Sequence, residues 1–438
     1  MNDRQVALEI ISDVLGGGYL NLTLKKRLRG IPEQNKRFIT ALCFTTIENL
    51  YRIDYIIDHF TSGKRIHRII RNILRIGVCQ IMFFESVPES AAVNESVKLT
   101  EKAGKRQLKG FVNAVLRNIA QNAGSIEYPS REKDPVKYLS IFYSYPEALV
   151  RLFIDQYGEN FTSELLACKK TGSDTCVRIN RMKSTPPEVK NSLVSEGHRF
   201  KSGKYMKDAL YVEHISSVEE MPLFKKGKIA VQSESSMLVV DAAGIEKGDT
   251  VLDVCAAPGG KTAYAAQFGS KTIVATDLHP HRVELMRQNL DRLGVKAAVT
   301  EVADATVPNP EFYECFDKVI VDAPCSALGI MYRKPDIKYA KTDIEGLYAV
   351  QRDILETCSR YVKKGGRLVY STCSVNKCEN SDIVTQFLSD NRMFREAELH
   401  PYMPESLAPR CSRGQLQLFP HIDGIDGFFI AALERKKQ

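Results

Sequence analysis

From Ile229 onward, short apolar runs alternate with amphipathic helical stretches: VLDVC, TIVATD, KVIVDA and RLVYSTC each read as a buried strand, with a helical pattern before the next. A strand that is apolar on both faces needs a covering layer on each, and helices between successive strands supply it. The alternation predicts a Rossmann-like α/β domain, a doubly wound parallel sheet flanked by helices. Ligands in such sheets bind beyond the carboxyl ends of the strands. The polar residues of this region fall at those ends: Cys255, Asp277, Asp304, Asp322, Cys325 and Cys373.

At 438 residues the chain exceeds the size at which one core keeps growing, and its patterning changes twice. From Val6 to Ile119 apolar residues recur at helical spacing, as in Val6, Ile10, Val14 and in Ile69, Ile73, Leu74, Ile76, Val78. This predicts an all-helical domain over residues 1–135, closed by the polar stretch YPSREKDP. Residues 136–230 mix helical patterns with β-like runs such as Cys176-Val177-Arg178-Ile179-Asn180 and predict a small α+β connecting domain. The α/β domain then occupies 231–438.

Charge separates the first region from the rest. Residues 1–127 hold 19 Lys+Arg against 12 Asp+Glu, so +7 of the net +8 lies there. Such a basic front end suits a polyanion, with phosphate contacts giving salt-dependent affinity. Arg65, Arg68, Arg71 and Arg75 stand three and four apart and share one helix face, a candidate RNA contact whose plainer reading is a solvated basic surface. No apolar run approaches the ~18 residues of a membrane span. The start, MNDRQVALEII, reads as amphipathic rather than as a signal peptide, and eleven cysteines without paired spacing suit reduced thiols in the cytoplasm. The eight histidines show no metal-ligand spacing, so no catalytic metal is expected. With no exposed apolar repeat, a monomer is expected.

The turn Cys255-Ala256-Ala257-Pro258-Gly259-Gly260-Lys261-Thr262 leads from VLDVC into a helix, and its small residues let the backbone approach a ligand. A P-loop needs glycine five positions before Gly260, where Cys255 stands, and no G-x-G-x-x-G occurs in the turn. Both points count against nucleoside triphosphates and nicotinamide dinucleotides. Asp277, 17 positions after Gly260, suits a carboxylate accepting from both ribose hydroxyls, and Asp304 suits an adenine amino group. Either aspartate alone reads equally well as a helix N-cap. Both in register with the turn, and without a basic clamp for pyrophosphate, describe an adenosine cofactor lacking phosphates.

Together, CAAPGGKT, the strand ending in Asp277, DAPCSALG followed by RKPDIKY, the STCSV turn and DGFFIAAL resemble the RsmB-type (Sun/Fmu) bacterial small-subunit ribosomal RNA cytosine-5 methyltransferases, within the wider RsmB/NOP/NSUN family. In the first third, LRIGVCQIMFF, VPESAAVNESVKL and FVNAVLRN are similar to the RNA-binding helical domain shared with the antitermination factor NusB. The resemblance spans nearly the whole chain. It implies S-adenosyl-L-methionine as cofactor and methylation of cytosine C5 in RNA, most closely 16S ribosomal RNA. It also implies that Cys373 is the nucleophile adding to C6, and that Cys325 helps remove the C5 proton so that the enzyme is released. A thiol suits the first role because it adds reversibly to an electron-poor ring near neutral pH. Asp322 is expected to hydrogen-bond the cytosine amidine edge or to anchor the amino-acid end of the cofactor, and Lys261 to reach the base or an acidic partner.

The chain departs from the family pattern at three places. Asn376-Lys377-Cys378-Glu379-Asn380 stands where one residue followed by Pro-Glu-Glu-Asn is common, and the extra thiol of Cys378 receives no role. Tyr339 replaces a frequent Trp, and Ala327 replaces a frequent Gly, which is tolerable if the backbone φ there is negative. Cys43, Cys79, Cys168, Cys315 and Cys358 read as small core hydrophobes. A zinc deaminase is excluded, because its second cysteine would fall at Leu328. Transfer RNA as substrate, and a non-catalytic RNA-binding or ribosome assembly factor, are the competing readings. Two intact thiols beside the cofactor aspartates count against the second.

Overall fold

A computed structural model describes residues 2–169, 174–213, 215, 217–340 and 343–437. The chain divides into two compact units, Met1–Lys169 with Met331–Lys341, and Lys170–Ile330 with Thr342–Gln438.

The first unit is helical. Asn2 caps its first helix, Asp3–Val14, by accepting from Arg4 N at 2.9 Å. The periodic residues point inward: Ile10, Ile53, Ile57, Ile73, Leu74, Ile76 and Leu116 are fully buried in one cluster. Truncating any of these to Ala costs about 2–5 kcal/mol. YPSREKDP is a turn between helices, because Asp134 accepts from Lys137 N at 3.0 Å and Pro135 opens the helix Pro135–Tyr143. Helices continue to Ala167 within this unit. The RKPDIKY segment joins it from far along the chain. Asp336 accepts from Leu20 N at 3.1 Å, which satisfies the start of the helix Leu20–Arg27. Tyr339 donates to Ser144 O at 3.0 Å with its ring 5.2 Å from that of Tyr51.

The second unit opens with a four-stranded antiparallel sheet of β1 (Thr175–Ile179), β2 (Phe200–Ser202), β3 (Ala209–Val212) and β4 (Ile229–Val231), in the order β2-β3-β1-β4. The helix Pro186–Ser195 begins in a capping box between Thr185 and Glu188. The larger sheet holds β5 (Thr250–Val254), β6 (Thr272–Asp277), β7 (Ala298–Val302), β8 (Phe316–Asp322), β9 (Val362–Thr372), β10 (Phe394–Glu396), β11 (Gln415–Leu418) and β12 (Phe428–Arg435). Its order is β10-β12-β9-β8-β5-β6-β7, with β11 also paired to β12. Strands β5 to β9 are parallel, as the alternation predicts. The sheet is nevertheless mixed: β12 runs antiparallel to β9, β10 and β11. It follows β11 without a full crossover helix, the connection that enforces the parallel sense. Successive strands run outward in opposite directions from the β5/β8 pair, and the switch point between those two strands is where a crevice opens in such folds.

Candidate active site

At the β5/β8 switch point the chain leaves β5 through Cys255, at φ +58°, and Gly259, at φ +91°. A side chain at Gly259 would be strained by that φ and would meet Met286 Cγ at 3.0 Å, so glycine is what the turn requires. The helix Gly260–Ala265 follows directly. Cys255 adopts the left-handed conformation without being glycine, which costs about 1 kcal/mol. Its thiol is pushed up to about 12, chiefly by burial.

Carboxylates line the strand ends around this turn. Asp277 is buried and accepts from Ala257 N at 3.3 Å and His279 N at 3.2 Å, with Arg282 3.2 Å away. Asp253 accepts from Thr262 Oγ1 at 2.6 Å through Oδ2, while its buried Oδ1 has no partner among the described residues. Burial pushes its carboxyl up to about 6. An orphaned buried oxygen, a backbone cradle with positive φ and the anchored Asp277 together fit the amino-acid and adenosine ends of S-adenosylmethionine. Asp304 differs. It lies exposed beyond β7 with Oδ1 engaged by Thr306 N and Oγ1 at 2.9 and 2.7 Å, bonds that hold its carboxyl below the usual range.

The ends of β8 and β9 bring the remaining groups together. The two strands are parallel, with Asp322 opposite Ser371. Asp322 Oδ2 accepts from Lys261 Nζ at 2.5 Å and its Oδ1 from Ser371 Oγ at 2.8 Å. Burial alone would lower the Lys261 ammonium, but the adjoining Asp322 charge overrides it and the net direction is up. Beyond these residues, Cys325 Sγ and Cys373 Sγ stand 3.3 Å apart. Cys325 is pushed well above an ordinary thiol, first by its hydrogen bond to Cys373, then by burial and by the charges of Cys373 and Glu379. Gly329 N donates to Cys373 O at 2.9 Å and Gly427 N to Gly329 O at 3.0 Å, which ties DGFF to the cysteine turn. A Cβ at Gly329 would lie 2.0 Å from Gly427 O, so the two backbones meet only because both residues are glycine.

Thus Cys325, Cys373, Asp322 and Lys261 converge. One condition is not met and one expectation fails. Ala327 lies at φ +58°, not at a negative angle, because the DAPCSALG turn reverses there and Ile330 N donates back to Ala327 O at 3.1 Å. Cys315, expected in the core, is exposed, since it sits in the loop before β8; Cys43, Cys79 and Cys358 are buried as expected, and Cys168 is half-buried. Sequence reasoning missed Ser371 and Glu379. Ser371 had a signal, since it stands two residues before Cys373 on the same strand face. Among the described residues no group of His, Cys, Asp and Glu could hold a metal ion, and no helix is long and apolar enough to cross a membrane.

In the first unit, Arg65, Ile66, His67, Arg68, Arg71 and Arg75 line a cleft of about 680 Å³. The four arginines do not all share one helix face, because Arg65 precedes the helix Arg68–Phe83, which starts only after its cap at His67; Arg65 and Arg68 are exposed. Arg71 lies 2.6 Å from Asp58 and 3.4 Å from Asp54, and Arg75 2.6 Å from Asp54.

Three family models match the chain: 16S rRNA methyltransferase RsmB/F over residues 242–434, the NusB family over 1–121, and an RsmF/B-like ferredoxin-like domain over 145–219. The probable ribosomal RNA small subunit methyltransferase B of Bacillus subtilis (strain 168) is 34% identical over 443 residues, covering 99% of this chain and 98% of that one. Its counterpart in Synechocystis sp. is 30% identical over 444 residues, covering 99% of each. A solved structure described as PH0851 shares the fold with a TM-score of 0.82 at 24% identity, covering 99% of both chains. With relatives matched over the full length and a glycine turn at the switch point of the sheet, the chain belongs to the RsmB/F family of S-adenosylmethionine-dependent RNA methyltransferases.

Proposed function

We propose that this enzyme methylates C5 of a cytosine in 16S ribosomal RNA through a covalent bond between Cys373 Sγ and C6 of the base. The thiol pair carries the reading: two sulfurs 3.3 Å apart at adjacent strand ends, beside an Asp322 carboxylate held by Lys261 and Ser371. Cytosine C5 is too electron-poor to accept a methyl group directly, and sulfur adding at C6 makes it carbanion-like. S-adenosylmethionine, when bound, supplies the electrophilic methyl that C5 takes.

The family resemblance divides the two roles, Cys373 as nucleophile and Cys325 in release. Their sulfurs lie within hydrogen-bond reach at 3.3 Å, either able to donate, and that contact together with burial pushes the Cys325 thiol up. Once Cys373 is bonded to carbon, the partner that held Cys325 up is gone. Cys325 gives its proton to solvent and, as thiolate, takes the C5 proton; the electron pair left on C5 re-forms the C5–C6 double bond and expels Cys373 as thiolate, so the product leaves. Asp322 hydrogen-bonds the amidine edge, which gains basicity as sulfur adds. Cys255 to Gly260, with Asp277 and Asp304, hold the cofactor. Residues 1–135 grip the RNA, with Arg65 and Arg68 as its phosphate contacts; residues 136–230 connect, and 231–438 perform the chemistry. The family description, which names 16S rRNA, and the full-length relatives, named as small-subunit ribosomal RNA methyltransferases, support the 16S substrate, and the protein acts as a monomer in the cytoplasm.

The test is transfer of labelled methyl from S-adenosylmethionine to unmethylated 16S ribosomal RNA and, separately, to unmethylated transfer RNA, with nucleoside analysis of each product. Label recovered as 5-methylcytosine from 16S RNA alone is expected. Label in transfer RNA alone, or in another nucleoside, overturns the reading.

A further inference from the structure

Glu379 lies six residues beyond Cys373, is fully buried, and touches neither sulfur in any recorded hydrogen bond. Its carboxyl group instead collects the residues that flank both cysteines. Oε1 accepts from Ser326 N, directly after Cys325, at 2.8 Å, and Oε2 accepts from Ser326 Oγ. Oε2 also accepts from Ser374 Oγ, directly after Cys373, at 2.6 Å. Gln351 Nε2 donates to Oε1 at 3.1 Å and to the carbonyl of Pro324, directly before Cys325, at 2.9 Å. The two serine hydroxyls lie 3.2 Å from each other.

These bonds give one buried group control over two turns that are 48 residues apart in sequence. The turns leave neighbouring strands, and β-ladder bonds end at Asp322 and Ser371, before either cysteine. Beyond that point Gly329 N still donates to Cys373 O at 2.9 Å, but four residues past Cys325, so the backbone of Cys325 itself is held by the bonds around Ser326. Hydrogen bonds to a buried carboxyl are short and directional. Asn380 braces the second turn from the other side, accepting from Thr372 Oγ1 at 2.5 Å and donating to Ser374 O at 3.0 Å. The backbone itself anchors Glu379, whose carbonyl accepts from the buried Tyr370 hydroxyl at 2.8 Å.

We propose that Glu379 is a positioning residue that fixes the separation of Cys325 and Cys373 by binding the serine that follows each of them. This rests on the reading that the two thiols share one reaction, since only a two-thiol mechanism needs their spacing held through both attack and release. The expectation follows from geometry: a displacement on the order of 1 Å at reacting groups can cost about 10²-fold in rate.

Two readouts on the full-length protein test it. The first needs no RNA: the rate at which diamide closes a disulfide between Cys325 and Cys373, followed by mass spectrometry of the linked peptides. Sulfurs 3.3 Å apart need to close to about 2.05 Å, so the wild type forms the bond readily, and Glu379→Ala forms it at least about tenfold more slowly. The second is methyl transfer, where Glu379→Ala lowers kcat about 10²-fold with KM for S-adenosylmethionine within about twofold. Glu379→Gln keeps the shape but offers an NH2 where two serine hydroxyls donate, and shows the same split at smaller size. It decides the question if the alanine variant lacks a cooperative thermal transition. A wild type that forms no such disulfide, or a folded variant that forms it at the wild-type rate, overturns the inference whatever happens to kcat. A wild type that links its thiols but transfers no methyl to cytosine removes the proposed reaction and leaves the positioning test standing.

Discussion

The arginine row of the helical unit and the cysteine pair of the α/β unit look alike in the sequence: residues of one reactive type, repeated where elements are expected to align them. The fold treats them in opposite ways. Arg71 and Arg75 are drawn onto Asp54 and Asp58 of the helix Leu50–Thr61, so half of the row is committed to holding two helices together. Cys325 and Cys373 face each other with no carboxylate or ammonium bonded to either sulfur among the described residues, and Glu379 is bonded to the serine after each of them rather than to a sulfur. Spacing identifies a cluster; whether neighbouring elements satisfy it decides between scaffold and site.

The sharpest way to break this contrast is to remove one thiol of each kind. Cys373→Ala should lower turnover about 10⁴-fold or more while leaving cofactor binding close to wild type. Cys79→Ala, which empties a buried core position, should change thermal stability and leave turnover per folded molecule unchanged. Retained turnover in the first variant would remove the nucleophile assignment.

Next in size is Cys325→Ala. With no thiol to take the C5 proton, protein should accumulate covalently on RNA, visible as a denaturant-resistant band. If the band is no stronger than wild type, the release role fails.

The arginines give a smaller, graded effect. Replacing exposed Arg65 and Arg68 with Ser should weaken RNA binding and reduce the slope of log affinity against log salt by about 2. Arg75→Ala should instead cost about 1–3 kcal/mol of stability, because it strips Asp54 of its closest partner, and should leave the salt slope in place. Equal slopes for the two variants would erase the distinction between free and committed arginines.

The smallest effect concerns the turn itself. Ala327 carries a left-handed φ of +58°, so Ala327→Gly should relieve steric strain and raise stability, by about 0.5–1 kcal/mol at most after the entropy gained by the unfolded chain is subtracted. A lower denaturation midpoint would show that the turn tolerates alanine without strain.

Much of this organisation was legible in the sequence. The change from helical period to strand–helix alternation marked the two architectures, because side-chain periodicity follows directly from element geometry. The glycine turn, Asp277, Asp322 and both cysteines were legible for the same reason: strand ends in a parallel sheet converge on one edge. Position 327 was legible only through the glycine frequent there in the family pattern, since alanine itself carries no mark of a left-handed φ. Glu379 was not legible, since its partners Ser326, Gln351 and Ser374 stand 53, 28 and 5 residues away along the chain, nor was the commitment of Arg71 and Arg75 to aspartates on another helix.

What the sequence determined by itself is therefore what depends on local chain geometry: which segments are helix or strand, and which residues arrive at a strand end. Only the tertiary structure decided which of those residues are left to react. The strength of a hydrogen bond or ion pair depends on a few tenths of an ångström between groups far apart in the chain, and that distance exists only once the elements have packed.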